Sequence, residues 1–393
     1  MTTPLPPVVA PADQLSDDEV ARYSRHLIIP GLGPDGQKRL KNARVLVIGA
    51  GGLGAPTLLY LAAAGVGTIG IVDFDVVEES NLQRQIIHGV ADIGRSKAQS
   101  ARDSIAAINP LVDVRLHEFR LDSTNAVELF GHYDLIVDGT DNFATRYLVN
   151  DASVLAKKPY VWGSIYRFEG QVSVCWEDAP DGRGLNYRDL YPEPPPPGSV
   201  PSCAEGGVLG IVCSSIASVM STEVIKLITG LGDSLLGRLM IYDALEMTYR
   251  TIAIRRDPSE ASRPTITELV DYEQLCGAVP GPVQDDASAI TPRELRDWLD
   301  SGKELALIDV REPVEFDIVH IDGAQLIPQS LINSGEGLAK LPQDRLPVLY
   351  CKTGVRSAQA LAVLRKAGFA DAVHLQGGIV AWAQQMQPDM TMY

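Results

Sequence analysis

The stretch "RVLVIGAGGLG", residues 44 to 54, predicts a buried strand, a tight glycine turn and the start of a helix. Its glycines at 49, 51 and 54 fit the pattern G-x-G-x-x-G, which lets the backbone approach a phosphate at a helix N-terminus. Asp73 ends the next predicted strand, where a carboxylate accepts hydrogen bonds from ribose hydroxyls. The stretch therefore predicts a nucleotide-binding βαβ unit, and residues farther along the chain must identify the nucleotide.

Strand and helix patterns alternate after this stretch, which predicts an α/β fold with a doubly wound, mostly parallel sheet of the Rossmann type. Two later strands, "GQVSVCW" and "RLMIYDAL", are expected to extend the sheet in antiparallel fashion. Short strands among helices predict a second, smaller α/β unit near the C-terminus. We predict a disordered tail over 1–14, a nucleotide-binding domain over 15–254, a linker over 255–287 and the second domain over 288–393.

Length, net charge and cysteine content limit the classes of function that the protein can have. A length of 393 residues suits two domains, and a net charge of -16 argues against nucleic acid as a partner. The five cysteines are odd in number and form no Cys-x-x-Cys pair, which is typical of reduced thiols in the cytoplasm. The Pro-rich N-terminus lacks the basic residues of a signal peptide. Glycines and a proline interrupt the uncharged run over 45–72, so we expect no membrane span.

Three charged residues favour ATP over a nicotinamide dinucleotide. ATP carries about four negative charges against about two for NAD, so its site needs cations and a carboxylate that holds Mg²⁺. Arg84 and Lys97 could supply the positive charge, and Asp141 follows the carboxyl end of a predicted strand. Each residue also has a plain structural interpretation: Arg84 and Lys97 as solvated helix charges, and Asp141 as the N-cap of the next helix.

The motifs "GAGGLG", "DFDVVEESNLQRQ", "GRSK" and "DGTDN" together resemble the MoeB/ThiF family of ubiquitin-activating-like adenylyltransferases, over roughly residues 15 to 250. The resemblance implies a homodimer in which Arg25 of one subunit reaches the phosphates bound by the other. Family members commonly carry two Cys-x-x-Cys pairs for a structural zinc, and this chain has neither, so we expect no zinc. The resemblance further implies that Asp141 holds magnesium and that ATP is surrounded by Gly52, Asp73, Ser80, Asn81, Leu82, Gln83, Arg84, Lys97, Asp141 and Asn142.

A second site is predicted at "LYCKTGVRS", residues 349 to 357. Cys351 follows a predicted buried strand and precedes a predicted helix, so loop N–H groups, the helix dipole and Arg356 would stabilise a thiolate or persulfide. The C-x4-R loop and the stretch "LIDVREPVEF" resemble the rhodanese domain over about residues 288 to 393, which implies sulfurtransferase activity. Asp309 and Arg311 are expected to form a structural ion pair.

The other cysteines receive different interpretations. Cys203 lies in a long segment rich in proline and glycine, where the resemblance suggests that a cysteine joins sulfur transfer. It could equally be an incidental loop thiol. Cys175 and Cys213 lie in apolar strand and helix patterns and are expected in the core.

The two halves together resemble the MoeZ-type adenylyltransferase/sulfurtransferases across nearly the full length. The implied reaction is ATP-dependent adenylation of the C-terminal Gly-Gly carboxylate of a ubiquitin-like sulfur carrier. Sulfur then passes from a Cys351 persulfide, loaded by thiosulfate or a cysteine desulfurase, to give a thiocarboxylate. The alternatives are an NAD-dependent oxidoreductase, a non-catalytic binding scaffold and an activator that forms a thioester. Molybdenum cofactor, thiamine, cysteine and tRNA thiolation pathways all stay open.

Overall fold

A computed structural model describes residues 4–195, 206–257, 265–276, 288–342 and 344–392. The chain divides into two compact units, Met1–Val279 and Pro280–Tyr393, and each is described by itself. The strands of the first unit are β1 (Arg44–Ile48), β2 (Thr68–Val72), β3 (Asp113–His117), β4 (Leu135–Asp138), β5 (Tyr160–Tyr166), β6 (Glu169–Cys175), β7 (Arg238–Asp243) and β8 (Thr248–Ala253). Its helices, within the same described ranges, are α1 (Asp17–Arg22), α2 (Ser24–Leu27), α3 (Gly33–Asn42), α4 (Gly54–Ala64), α5 (Lys97–Ile108), α6 (Ala126–Gly131), α7 (Phe143–Leu155), α8 (Gly210–Thr229) and α9 (Tyr272–Leu275).

These strands form one sheet in the order β3-β2-β1-β4-β5-β6-β7-β8. β1 to β5 are parallel, whereas β6, β7 and β8 are antiparallel to their neighbours. The prediction of a mostly parallel, doubly wound sheet with antiparallel extensions is confirmed. The strand order reverses between β1 and β4, and ligands of α/β sheets bind outside the carboxyl ends of strands at such a reversal. The sequence patterns do not predict β8, because every residue of this edge strand is exposed.

Apolar side chains cover both faces of the sheet. Val45 to Ile48 are consecutive buried residues of β1, as expected for a parallel strand between two layers of helices. Cys175 and Cys213 are 5% and 0% exposed, which confirms their prediction as core residues. By its length and mean hydropathy of 1.6, α8 could cross a membrane, but 56% of its apolar window is buried inside the unit, as in a core helix.

The prediction of a disordered tail over 1–14 is wrong for residues 4–14, which pack on the first unit. Leu5 and Val9 are 6% and 5% exposed and belong to its hydrophobic core. The Val8 N–H donates a hydrogen bond to the Leu227 carbonyl at 3.0 Å. The prolines of this segment favour an extended backbone, and the apolar residues among them supply the buried surface that holds it.

Part of the predicted linker over 255–287 also belongs to the first unit. Residues 265–276 include α9, whose Tyr272 is 4% exposed. The Tyr272 hydroxyl donates to Asp151 Oδ2 at 2.7 Å, and the Arg188 guanidinium donates to the two oxygens of the same carboxylate at 2.9 and 2.8 Å. A buried carboxylate on α7 therefore anchors this segment. The segment is short and polar, so its composition does not predict this docking.

The second unit is a smaller parallel α/β domain. Its sheet has the order β11-β10-β12-β13-β9, and all neighbouring strands are parallel. The strands are β9 (Ala289–Ile290), β10 (Leu305–Asp309), β11 (Gln325–Leu326), β12 (Leu346–Tyr350) and β13 (Val373–Leu375). Its helices, among the residues that the structure describes, are α10 (Pro292–Asp300), α11 (Pro313–Ile318), α12 (Gln329–Ser334), α13 (Val355–Lys366) and α14 (Gly378–Met386).

The predicted ion pair of Asp309 and Arg311 is confirmed, and a capping box begins the first helix of this unit. Arg311 Nε donates to Asp309 Oδ1 at 2.9 Å, and both side chains are fully buried, so the pair is structural. Thr291 caps α10, because its hydroxyl accepts from the Glu294 N–H at 3.2 Å and Glu294 reaches back to the Thr291 N–H at 2.8 Å.

Replacing Tyr272 by phenylalanine is expected to lower the free energy of unfolding of the first unit by about 2 kcal/mol, because a hydrogen bond to a buried charged group is lost. Urea unfolding followed by tryptophan fluorescence measures the change. Tyr249→Phe is the matched control, since Tyr249 is 56% exposed on β8. Equal effects of the two substitutions would show that the Asp151 contact does not anchor α9.

Candidate functional site

Close backbone contacts among three glycines fix the turn between β1 and α4. Gly49 has a φ of +89°, a left-handed conformation that favours glycine. A Cβ at Gly54 would overlap the Gly49 carbonyl oxygen, and a Cβ at Gly139 would lie 3.1 Å from the Gly54 amide nitrogen. The turn after β1 therefore packs directly on the turn after β4. Larger residues at these positions would push the two turns apart.

A cavity of about 750 Å³ opens at the carboxyl ends of β1, β2 and β4. Ser80, Leu82, Gln83 and Arg25 do not line this cavity, and Arg25 is exposed on α2. The structure brings the other predicted nucleotide-site residues together in its wall: Gly52, Asp73, Asn81, Arg84, Lys97, Asp141 and Asn142.

Asp73 holds the glycine turn against the end of β2. Its Oδ2 accepts from the Ala50 N–H at 2.7 Å, and its Oδ1 accepts from the Asp75 N–H at 2.9 Å. Burial raises the pKa of Asp73, and the two backbone hydrogen bonds oppose that change. Each carboxylate oxygen has more than one lone pair, so the predicted contact with ribose hydroxyls would use the remaining ones.

The two predicted cations have different surroundings. Lys97 is the first residue of α5 and is 7% exposed, with its ammonium 3.2 Å from Asp75 Oδ2. This burial rules out the interpretation of Lys97 as a solvated helix charge. Arg84 is half-buried, and its Nη1 donates to the Ser80 carbonyl at 3.0 Å. A Cβ added at Gly52 would lie 3.7 Å from Arg84 Cδ, so the arginine stem lies beside the glycine turn.

Asp141 does not cap α7. Asn142 is the N-cap, and its Oδ1 accepts from the Thr145 N–H at 2.8 Å. Asp141 is exposed in the cavity wall, and its carboxylate makes no hydrogen bond or ion pair within the described part of the chain. A free carboxylate is the hard oxygen ligand that Mg²⁺ prefers, so this residue fits the metal that the family implies.

An aromatic groove of about 340 Å³ adjoins the cavity. The rings of Trp162 and Tyr187 meet edge to face, with centroids 5.1 Å apart. Asp141, Arg146 and Ile165 line both the cavity and the groove, so the two spaces share a wall. The aromatic side chains of the groove are Phe143, Tyr147, Trp162, Tyr166, Tyr187 and Tyr191.

Arg146 is a wall residue that the sequence reasoning missed. It is 7% exposed, and its Nε is buried without a hydrogen-bond partner among the described residues. Its Nη2 donates to the Thr140 carbonyl at 3.3 Å, and its guanidinium carbon lies 5.9 Å from the Trp162 ring centroid. A buried cation with unused donors suits an anionic ligand. Its spacing of one helical turn from Asn142 is the sequence signal that points to it.

Two further contacts shape the cavity. Asp138 is fully buried, its Oδ1 accepts from the Thr140 N–H at 3.0 Å, and burial raises its pKa. This carboxyl shapes the turn that presents Asp141. Arg120 and Glu273 form an ion pair in the cavity wall, so the segment over 265–276 takes part in the site.

In the second unit, Cys351 lies at the strand-to-helix turn, as predicted, between β12 and α13. The cysteine is fully buried, and its Sγ accepts from the Gly354 N–H at 3.1 Å. The first turn of α14 also binds this loop, because the Ile379 N–H donates to the Cys351 carbonyl at 2.9 Å. The backbone thus places the sulfur at the N-terminal end of α13 and joins the loop to the N-terminal end of α14.

Arg356, the predicted loop cation, makes a two-pronged ion pair with Glu315. Arg356 Nη1 donates to Glu315 Oε2 at 2.7 Å, and Nη2 donates to Oε1 at 2.8 Å. Glu315 is 5% exposed on α11. The loop motif does not predict this partner, because Glu315 precedes Arg356 by 41 residues.

Two predictions receive no test from these contacts. Cys203 lies outside the described residues, so its predicted part in sulfur transfer stays a prediction. The expectation of no zinc also stays a prediction. Within the described ranges, no group of three or more His, Cys, Asp and Glu side chains is arranged to hold a metal ion.

The folds of the two units agree with comparisons to known families. The model of the ThiF family matches residues 23–263, and the model of the rhodanese-like domain matches residues 291–385. The first match covers more than half of the chain. The chain therefore belongs to the ThiF family and carries a rhodanese-like domain after the ThiF region.

Curated relatives extend the match to the full length. The chain is 81% identical to the "Probable adenylyltransferase/sulfurtransferase MoeZ" of Mycobacterium tuberculosis, with 100% of both chains covered. It is 41% identical to the "Adenylyltransferase and sulfurtransferase MOCS3" of Sus scrofa, over 100% of this chain and 90% of that protein. It is 51% identical to the "Sulfur carrier protein adenylyltransferase" of Thermus thermophilus, over 66% of this chain and 97% of that protein. The predicted class is confirmed: the chain is an adenylyltransferase and sulfurtransferase.

Solved structures support the fold of the first unit. The chain is similar to the microcin C7 biosynthetic enzyme MccB in complex with N-formylated MccA, with a TM-score of 0.55 and 23% identity. The likeness covers 62% of this chain and 76% of that one. It shows a shared fold.

Gly378→Ala is expected to reduce persulfide formation on Cys351 by about tenfold or more, because a Cβ there would overlap the Cys351 and Lys352 carbonyl oxygens and displace the loop. The intact protein mass after incubation with excess thiosulfate reports the added sulfur. Gly368→Ala is the matched control, since its φ is +104° but no atom lies within 4 Å of the added Cβ. Equal losses in both variants would assign the effect to backbone strain and not to loop position.

Proposed function

We propose that the first unit adenylates the C-terminal Gly-Gly carboxylate of a ubiquitin-like sulfur carrier protein, and that Cys351 of the second unit supplies the sulfur as a persulfide. The observation that carries the first half is the wall of Asp141, Arg146 and Ile165 that the cavity and the aromatic groove share. Adenylation joins a nucleotide to a peptide end, so its site needs a space for each and a meeting point between them. The name of the Thermus thermophilus relative supports the choice of partner.

In the proposed first step, ATP lies in the cavity and the carrier tail lies in the groove. A carboxylate oxygen attacks the α-phosphorus, the bond to the β-phosphate oxygen breaks, and pyrophosphate leaves. No protein nucleophile is needed, because positioning and charge neutralisation accelerate the reaction. Arg146, with its unused Nε, would bind the anion where the two substrates meet. The residues proposed to surround ATP are those in the cavity wall: Gly52, Asp73, Asn81, Arg84, Lys97, Asp141 and Asn142. Ser80, Leu82 and Gln83 do not line the cavity, and their contact with ATP stays a prediction.

Charge neutralisation in the cavity is assigned to three side chains. Lys97 and Arg84 supply fixed positive charge toward the phosphates, and Asp75 holds the Lys97 ammonium in place. Asp141 would hold Mg²⁺, and the metal when bound would neutralise phosphate charge. The fit rests on the Asp141 carboxylate, which has no other partner among the described residues.

In the proposed second step, the outer sulfur of the Cys351 persulfide attacks the acyl carbon and AMP leaves with the carboxyl oxygen. The product is an acyl disulfide between the carrier and Cys351. A second thiolate, from Cys203 or an external thiol, then attacks the Cys351 sulfur and releases the carrier thiocarboxylate. The resulting disulfide is reduced by an external thiol. These thiols suit the reducing cytoplasm, and no disulfide joins the described cysteines at 175, 213, 276 and 351 to one another.

Asp141→Ala is expected to abolish carrier-dependent ATP–pyrophosphate exchange, whereas Cys351→Ala retains the exchange and loses thiocarboxylate formation. The first substitution removes the proposed metal ligand, and the second removes only the sulfur nucleophile. Isotope exchange and mass spectrometry of a carrier ending in Gly-Gly measure the two activities. Full thiocarboxylate output from Cys351→Ala would contradict the role of the second unit. A thioester product would favour the alternative of a conjugation activator.

We also propose a homodimer in which Arg25 acts at the partner's nucleotide site. Arg25 is exposed on α2 and does not line the cavity of its own chain. Ile28 and Ile29, beside it, are 71% and 46% exposed. An exposed cation next to apolar side chains suits a contact between two copies.

Mixing chains that carry Arg25→Ala with chains that carry Asp141→Ala is expected to restore about a quarter of the wild-type exchange activity. In a random mixture half of the dimers are mixed, and each mixed dimer has one intact site. Exchange is measured after the two inactive proteins are unfolded and refolded together. Refolding each variant alone is the control. No recovery above that control would contradict a shared site.

A further inference from the structure

The short helix α9 contributes to the wall of the nucleotide cavity from outside the region that the ThiF family model matches. That match ends at residue 263, and α9 begins at Tyr272. Tyr272 is 4% exposed, and its hydroxyl donates to the buried Asp151 carboxylate at 2.7 Å, so α9 has a fixed position on the first unit. Glu273, the next residue, lines the cavity, whereas the other residues of the wall lie within the matched region.

An ion pair holds the Glu273 side chain in the cavity wall. Its carboxylate pairs with the guanidinium of Arg120, which also lines the cavity. The side chains of Arg120 and Glu273 are 66% and 39% exposed, so the pair by itself contributes little to stability. A carboxylate has several lone pairs and can accept from an arginine and from a second donor at the same time. The pair therefore leaves Glu273 able to bind a ligand.

The order of the strands places Glu273 near the base of a bound nucleotide. In folds of this type, phosphates lie at the glycine turn after the first strand, and an acid after the second strand binds the ribose. Here that acid is Asp73, which follows β2. β3 lies on the far side of β2 from β1, and Arg120 follows β3. The base therefore extends past Asp73 toward the carboxyl end of β3, where Arg120 and Glu273 meet.

We propose that Glu273 is a specificity-determining residue for the base, and that its carboxylate accepts a hydrogen bond from the exocyclic amino group of adenine. Adenine presents this amino group as a donor, whereas guanine presents a carbonyl oxygen at the same ring position. A carboxylate attracts the donor and repels the carbonyl oxygen. Arg120 is a positioning residue, because it acts through Glu273. This inference rests on the proposed nucleotide site and adds the group that selects its base.

Two nucleotides that differ only in the amino group test this role: ATP, and purine riboside triphosphate, which has a hydrogen atom in its place. Binding of each to the full chain, with Mg²⁺ and without a carrier, is measured by titration calorimetry. We expect Glu273→Ala to weaken ATP binding by about tenfold, since a hydrogen bond to a charged group is lost at a partly exposed position. Binding of purine riboside triphosphate is expected to change little. Glu268→Ala is the matched control, because Glu268 is exposed on the same segment and is not part of the cavity wall.

The pattern over the two nucleotides separates recognition from support of the fold. An equal loss with both nucleotides in Glu273→Ala would mean that this residue only holds α9 in place, and would overturn the proposal. In the double variant Glu273→Ala/Arg120→Gln, we expect no further loss of the preference for ATP. A further loss would show that Arg120 contacts the amino group itself, and would contradict its positioning role.

Measuring binding without a carrier keeps this inference separate from the proposed adenylation. Wild-type protein that prefers ATP over purine riboside triphosphate but shows no carrier-dependent pyrophosphate exchange would refute the proposed adenylation alone. ATP binding that Glu273→Ala leaves unchanged would refute only the role of Glu273.

Discussion

The contact between two glycine turns is the constraint on which the nucleotide cavity depends. Gly54 packs on the Gly49 carbonyl, and Gly139 packs on Gly54, so the turns after β1 and β4 touch through their backbones. The two strands are neighbours at the reversal of strand order. Because no side chain separates the turns, residues presented by β1, β2 and β4 surround one cavity. Asp73 reinforces this arrangement by accepting from the Ala50 N–H within the glycine turn.

The junction between the parallel and antiparallel strands supplies a second space beside the nucleotide cavity. β5 and β6, with α7 beside them, supply most of the aromatic groove, and the groove shares the wall of Asp141, Arg146 and Ile165 with the cavity. In the adenylation that we propose, this wall is where carboxylate and α-phosphate meet. Arg146 is buried there with an Nε that has no partner in the described part of the chain. A buried cation is costly without an anion, and the reaction supplies one.

The sequence predicts the parts of the molecule that depend on short motifs and local patterns. The parallel sheet, the core cysteines, the Asp309–Arg311 pair and the strand-to-helix turn at Cys351 follow from hydrophobic periodicity, glycine spacing and loop chemistry. The N-terminal segment and residues 265–276 do not, because a few apolar or aromatic anchors outweigh their polar and Pro-rich composition. The sequence does not predict the roles of Arg146 and Glu315 either, because those roles depend on contacts between different elements of the fold. The exposed strand β8 lacks the apolar face that identifies strands.

The central claim is that a carboxylate attacks the α-phosphorus of ATP and that sulfur later replaces that oxygen on the carrier. A sulfur carrier whose C-terminal carboxylate contains the heavy oxygen isotope tests it most directly. After complete conversion with ATP and a persulfide donor, the account predicts one heavy oxygen atom in AMP and sulfur in place of that oxygen on the carrier. AMP without the heavy isotope, formed together with thiocarboxylate, would contradict it.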